Sequence, residues 1–170
     1  MVFGMSLAAF TLLHVAISLV AIVTGFVVVL GMRTSKRLPG WTAVFLATTF
    51  LTSATGFGFP FTGLLPSHIF GIITLVVMAV SVPGLYAFHL AGHWRWIYVV
   101  GSVVILYLNT FVLVVQSFLK VPFLTPLAPT QSEPPFAVAQ LAVLALFVWL
   151  GVLAVRGFRP GTPQPGLSPA

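Results

Sequence analysis

Long apolar runs alternate with short polar gaps along the whole chain. Five runs approach or exceed the roughly 20 residues that a helix needs to cross a bilayer; they cover about 8–30, 41–59, 67–91, 96–119 and 136–155. Hydroxyl residues dilute the second run, but hydroxyls are tolerated in a span because they bond to the carbonyl of the preceding turn. The pattern predicts an all-α polytopic membrane protein, a compact bundle of five transmembrane helices within one domain, 1–159. The Pro- and Gly-rich segment 160–170 is predicted to be a disordered cytoplasmic tail.

The charged residues fall in the gaps between these runs and predict the orientation. A five-span arrangement places the basic residues of three gaps on one side: Arg33, Lys36, Arg37, Arg95, Arg156 and Arg159. Lys120 and Glu133 fall on the other side. An excess of Lys and Arg marks the cytoplasmic side, so the N-terminus is predicted outside and the C-terminus inside. Omitting the second span would place Arg95 opposite the first basic cluster, which favours five spans.

Composition excludes several functional classes. Only 5% of the residues are charged and 59% are hydrophobic, whereas soluble proteins average roughly a quarter charged. The absence of cysteine excludes disulfides, thiolate catalysis and Cys-ligated metal centres. The basic residues form no stripe, so the lipid bilayer is the expected partner and nucleic acid is not. A single acid excludes a two-carboxylate mechanism, and no catalytic residue is assigned.

Three gap segments on the predicted outer side carry a resemblance: 55–60 (TGFGFP), 66–68 (PSH) and 128–136 (APTQSEPPF). They resemble those of a group of small uncharacterised bacterial integral inner-membrane proteins, and the likeness extends over most of the chain. The resemblance implies the protein class and the cell inner membrane as its location. That group has no assigned activity, so no catalytic residue is implied.

Two histidines are predicted at similar depth near the outer side. His14 lies near the outer end of the first span, and His68 opens the third span, which also starts outside. Two imidazoles on different helices can ligate one haem iron from both faces, so haem b is a candidate cofactor. Small residues at Ser18, Ala21 and Gly25 share the face of His14 and could admit a planar macrocycle. The alternative is that small faces serve close helix packing, with histidine as a hydrogen-bonding partner.

Glu133, the only acid, lies on the same predicted side. Together with His14 and His68 it could bind Fe, Mn or Zn, or it could orient a ligating imidazole. The alternative is structural, because a carboxylate before two prolines suits the N-terminus of a helix.

Amides supply the remaining polar candidates within the spans. Ser102, Asn109 and Gln116 recur every seven residues on the fourth span, and Gln140 lies near the outer side of the fifth. Buried amides need partners, so the stripe is expected to face protein, either as structural contacts or as the lining of a quinone site. Gln116 and Gln140 join His14 and His68 as predicted cofactor-binding residues.

These observations predict an accessory membrane protein with an outer-side cofactor site for haem or electron transfer. A structural or assembly subunit, partnered by another membrane protein or a second copy, is the alternative class. A transporter is disfavoured because no ionisable residue lies near the midplane. His89 and His93, spaced by four residues, fall in the interfacial belt and are not predicted to form a site.

Overall fold

The computed structural model describes residue 2 and residues 4–60 and 66–160. Five α-helices form in this part of the chain: α1 Leu7–Arg33, α2 Pro39–Gly56, α3 Pro66–Tyr86, α4 Trp94–Lys120 and α5 Pro134–Gly157. A short 3₁₀ turn covers Thr125–Leu127, and these described ranges contain no β-strand. The predicted all-α class is confirmed. The predicted tail, apart from Pro160, lies outside the described residues.

Four of the described helices, α1, α3, α4 and α5, are long and apolar enough to cross a membrane. Their outward surfaces carry large apolar side chains; Val23 is 60% exposed, Val76 58% and Leu141 63%. Such a surface suits hydrocarbon, because soluble proteins rarely expose wide apolar patches. The chain is therefore a helical protein built for a lipid bilayer.

Helix α3 ends earlier than the apolar run predicts, at Tyr86 instead of Ala91. Leu90 N–H donates to the carbonyl of Gly84 at 2.9 Å, which reverses the chain after the helix. His89 and Leu90 have φ values of +49° and +64°. These left-handed conformations cannot continue a right-handed helix, so a tight turn replaces the predicted last turn.

The bundle has two chemically different ends. We call the end formed by residues 33–39, 86–95 and 156–159 the basic end, and the opposite one the Glu133 end. Arg95 Nη1 donates to the carbonyls of Val155 (3.3 Å) and Phe158 (2.5 Å), and Arg159 N–H donates to Ser35 Oγ at 2.9 Å. These bonds bring the three basic gaps together, with Arg95 satisfying carbonyls at the end of α5.

The core occupies the half of the bundle next to the basic end. Helices α1 and α4 each pack on three others: α4 contacts α1, α3 and α5, and α1 contacts α2, α4 and α5. Helix α2 also packs on α3. The buried cluster includes Val29, Phe45, Met78, Leu106 and Leu150, each from the half of its helix near the basic end. The candidate site lies in the other half of the bundle.

The Pro-rich segment 121–133 folds back on α4. Leu124 N–H bonds the carbonyl of Val121 at 2.9 Å, and the 3₁₀ turn follows. Ala128 is 1% exposed, and Gln131 Nε2 donates to the carbonyl of Val115 at 3.1 Å. These contacts order the segment over the Glu133 end.

Candidate functional site

A cavity of about 290 Å³ opens between α1, α2, α3 and α4 in the half of the bundle near the Glu133 end. Most of its lining is apolar or glycine, as is typical of small-molecule sites. The polar lining residues are His14, Ser18, Thr52, Ser53, His68, Thr74, Asn109, Gln116, Ser117 and Lys120. We call this space the histidine cavity.

The predicted cofactor-binding residues divide into two groups. His14, His68 and Gln116, from three different helices, line the histidine cavity together, and Asn109 joins them. Gln140 is not among the lining residues; its Nε2 donates to the carbonyl of Phe111 at 3.2 Å, which ties α5 to α4. The structure thus assembles the two imidazoles and one predicted amide around one space.

The hydrogen bonds around His14 favour the tautomer that is protonated at Nδ1. Thr55 Oγ1 lies 2.6 Å from the carbonyl of Leu51, one helical turn earlier, and donates its only hydrogen there. The same oxygen lies 2.8 Å from His14 Nδ1, so it accepts the Nδ1–H. In the neutral ring Nε2 then keeps its lone pair. His14 can therefore accept a hydrogen bond, take up a proton or ligate a metal through Nε2.

Phe57, just after α2, holds the second histidine. His68 is 4% exposed, and its ring stacks on Phe57 with centroids 5.5 Å apart and planes 20° apart. A Cβ added at Gly71 would lie 3.6 Å from the Phe57 ring, an ordinary van der Waals distance, so Gly71 lies beside this contact. His14 meanwhile packs edge-on against Phe59, at 5.2 Å between centroids. The end of α2 and the residues after it thus position both imidazoles.

Helices α2 and α4 supply the polar wall between the histidines. Asn109 Nδ2 donates to Thr49 Oγ1 at 3.3 Å, and Gln116 stands two turns further along α4. Thr52 Oγ1 is buried and has no hydrogen-bond partner within the described residues. A buried hydroxyl without a partner is costly. A ligand in the cavity that Thr52 lines could satisfy it.

Glu133 does not take part in a site with the histidines. Its carboxylate accepts hydrogen bonds from Thr130 N–H (3.1 Å), Thr130 Oγ1–H (2.8 Å) and Ser132 N–H (3.1 Å). Desolvation would raise the pKa of Glu133, but these hydrogen bonds outweigh it and lower the pKa below its ordinary value. Over the described ranges no group of three His, Cys, Asp or Glu residues is placed to hold a metal ion. The predicted set of His14, His68 and Glu133 is not assembled, because the acid is bound within its own loop.

Most of the small residues of α1 allow close helix packing and do not line the cavity. A Cβ on Gly25 would lie 2.6 Å from Leu106 Cδ1 and 2.7 Å from the Phe45 ring, so both side chains already fill that space. Ala21 is fully buried. Only Ser18 of the predicted small face lines the cavity. The packing alternative therefore accounts for most of this face.

Several residues of the site were not identified from the sequence; besides the hydroxyl residues Thr52, Ser53, Thr74 and Ser117, they include three with other roles. Lys120 lies among the lining residues, Thr55 bonds His14, and Phe57 stacks on His68. Lys120 could have been identified from its predicted depth in the membrane, because it lies at the same end of the bundle as the two histidines. His89 and His93 are exposed in the turn at the basic end, away from this site.

No protein-family model matches the chain, and no curated protein and no solved structure is detectably similar to it.

Proposed function

We propose that the protein is a bacterial inner-membrane protein that binds the ring headgroup of a membrane-soluble quinone in the histidine cavity. The observation that carries this proposal is a mainly apolar cavity lined by two imidazoles and two carboxamides, with no carboxylate. A quinone presents apolar ring faces and an oxygen at each of two opposite edges. It therefore needs an apolar slot with hydrogen-bonding groups at separate points of the wall.

The polar groups of the cavity match both redox states of such a ring. The amide N–H groups of Asn109 and Gln116 can donate to the carbonyl oxygens of the oxidised form. Nε2 of His14 can accept a hydrogen bond from a hydroxyl of the reduced form. The cavity volume of about 290 Å³ lies at the lower limit of the ~300–1,000 Å³ found for small-molecule sites. That volume suits a single ring, with the isoprenoid tail outside the cavity.

The proposal includes α2 as a fifth membrane-spanning helix. The hydroxyl residues that lower its hydropathy face inward; Thr42 is 5% exposed, Thr49 0% and Ser53 6%. Its outward face carries Phe50 and Leu51, which are 53% and 45% exposed. The surface that would meet lipid is therefore apolar. Eighteen residues give about 27 Å of helix, close to the ~30 Å hydrocarbon thickness.

The proposed orientation places the N-terminus outside and the C-terminus in the cytoplasm. Every Lys and Arg except Lys120 lies in one of the three gaps that come together at the basic end. Because Lys and Arg are enriched on the cytoplasmic side of membrane proteins, we assign the basic end to the cytoplasm. The resemblance of the gap segments to bacterial inner-membrane proteins supports the same location. The histidine cavity would then lie in the outer half of the membrane.

Haem b in the same cavity is the second candidate. His14 and His68 both line it, and the bond from Nδ1–H to Thr55 is of the kind that orients iron-ligating histidines. The cavity volume favours a single ring over a four-ring macrocycle. A reduced-minus-oxidised spectrum separates the two candidates. Haem would give Soret and α bands that disappear in both His14→Ala and His68→Ala.

The quinone proposal is tested by titrating the detergent-purified protein with a short-chain benzoquinone analogue by calorimetry. We expect saturable binding at one site, weakened at least about tenfold by His14→Ala, on the scale of one buried hydrogen bond and its packing. His89→Ala is the matched control, because this histidine is exposed at the opposite end. Absence of saturable binding, or equal weakening by both variants, would contradict the proposal.

A further inference from the structure

A second cavity, of about 300 Å³, lies at the basic end and shares no lining residue with the histidine cavity. Its body is apolar and is formed by Val28 and Met32 of α1 and Leu85 of α3. Lys36 and Arg37, both exposed, also line it. It therefore combines a basic mouth with an apolar interior at the level where the helices end.

The mouth lacks an internal counter-charge. The only acidic side chain of the sequence is Glu133, which lies at the opposite end of the bundle within its own loop. Helix α2 begins at Pro39, two residues after Arg37, with no acid in its first turn. An anionic group is what this mouth would stabilise.

The apolar interior narrows the choice of anion. A hydrophilic anion makes no favourable contact with Val28, Met32 and Leu85, whereas an acyl chain can fill the apolar space between them by van der Waals packing. Basic pockets between membrane helices are suited to anionic lipid headgroups. We propose that this cavity binds an anionic glycerophospholipid, with its phosphate between Lys36 and Arg37 and the start of one acyl chain against the apolar interior.

The charge requirement is tested by native mass spectrometry of the full chain released from nanodiscs of phosphatidylglycerol and phosphatidylcholine. We expect one phosphatidylglycerol molecule to be retained in preference to phosphatidylcholine. Lys36→Gln/Arg37→Gln should lower this preference about fivefold per residue, the effect of one basic residue near an anionic surface. The control Arg33→Gln/Arg156→Gln removes the same charge from exposed positions at the same end that do not line the cavity. Equal losses in the two double variants would overturn the proposal.

The cavity requirement is tested separately with the charges kept. Leu85→Phe fills the interior and should reduce retention of phosphatidylglycerol, while gel filtration checks that the variant stays folded. Glycerol 1-phosphate, added to the wild type at millimolar concentration, should not displace the lipid, because it lacks the acyl chains. Displacement by glycerol 1-phosphate, or full retention in folded Leu85→Phe, would contradict a lipid site. If Leu85→Phe does not fold, the charge variants and the competition decide.

Discussion

The hydrogen bond between Thr55 and His14 sets which ring nitrogen of the histidine keeps a lone pair. The short distance from Thr55 Oγ1 to the carbonyl of Leu51 favours donation of its hydrogen on its own helix, and His14 then donates through Nδ1. Nε2 is then the nitrogen that remains for a ligand. A single hydroxyl on α2 thereby defines the chemistry that α1 presents.

Replacement of Thr55 tests this assignment. Thr55→Val removes the acceptor of Nδ1–H, and we expect the affinity for the benzoquinone analogue to fall about five- to tenfold, the value of one hydrogen bond. Thr55→Ser keeps the oxygen and should bind like the wild type. Calorimetric titration measures both. Wild-type affinity in Thr55→Val would show that the bond does not set the tautomer on which binding depends.

Glu133 should make stability depend on pH in the acid range. Its lowered pKa means that the ionised carboxylate stabilises the fold above its ordinary pKa of 4.5. This stabilisation is lost as the pH falls through the lower folded-state value. We therefore expect wild type to unfold at a higher temperature than Glu133→Gln at pH 7, with the difference shrinking toward pH 3. Thermal unfolding in detergent measures it, and a difference independent of pH would contradict the assignment.

At the residue scale the sequence predicted the site in part. His14, His68 and Gln116 were predicted to lie near one another because helical spacing and depth in the membrane can both be counted along the chain. Glu133 was placed with the histidines by the same depth argument, but its local bonds to Thr130 and Ser132 hold it in its loop. Depth specifies a layer of the membrane and leaves the position within that layer open.

At the scale of helices, close packing depends on glycines that face neighbouring side chains. Gly101 of α4 meets Ser81 of α3, and a Cβ at position 101 would lie 2.7 Å from Ser81 Cβ, with the hydroxyl still nearer. Both residues are buried, and Ser81 is only 3% exposed. This contact fixes the distance between α3 and α4.

Gly101→Ala should therefore destabilise the protein by about 1–3 kcal/mol, as overpacking of a filled core does. In a Ser81→Gly background the same substitution should cost much less, because the obstructing side chain is gone. A double-mutant cycle of thermal or denaturant unfolding measures the coupling. Additive effects of the two substitutions would contradict the proposed contact.

The sequence predicted the five α-helices of the described residues, because each coincides with a long apolar run. The boundaries were less predictable. Helix α3 loses its last turn to the left-handed residues His89 and Leu90, and nothing in an apolar run signals such a turn. Helix α2 has a low mean hydropathy because several of its residues carry hydroxyls, and these hydroxyls face the other helices. A mean over the helix does not distinguish its inward face from its lipid-facing one.

At the scale of the whole molecule, the two cavities lie at opposite ends of the bundle. The apolar core lies toward the basic end, and the histidine cavity lies toward the end that carries Lys120 and Glu133. The orientation of the protein in the membrane therefore decides which half of the bilayer the ligand of the histidine cavity would occupy.

Single cysteines test the orientation and the number of spans, since the chain has no cysteine of its own. Gly58→Cys and Phe123→Cys should react with a membrane-impermeant maleimide in intact spheroplasts. Thr34→Cys and Gly92→Cys should react only after permeabilisation, because they lie at the basic end. If positions 34 and 58, on either side of α2, reacted alike, α2 would not be a span.

The most direct test of the central claim is photolabelling of the protein in membranes with an azido-substituted short-chain benzoquinone, followed by mapping of the labelled peptides. If the histidine cavity binds the quinone ring, labelling should occur in α1 around His14, at the end of α2 around Phe57 and in α4 around Gln116, and unlabelled benzoquinone should compete with it. Labelling spread evenly along the lipid-facing helices, or confined to the basic end, would contradict it.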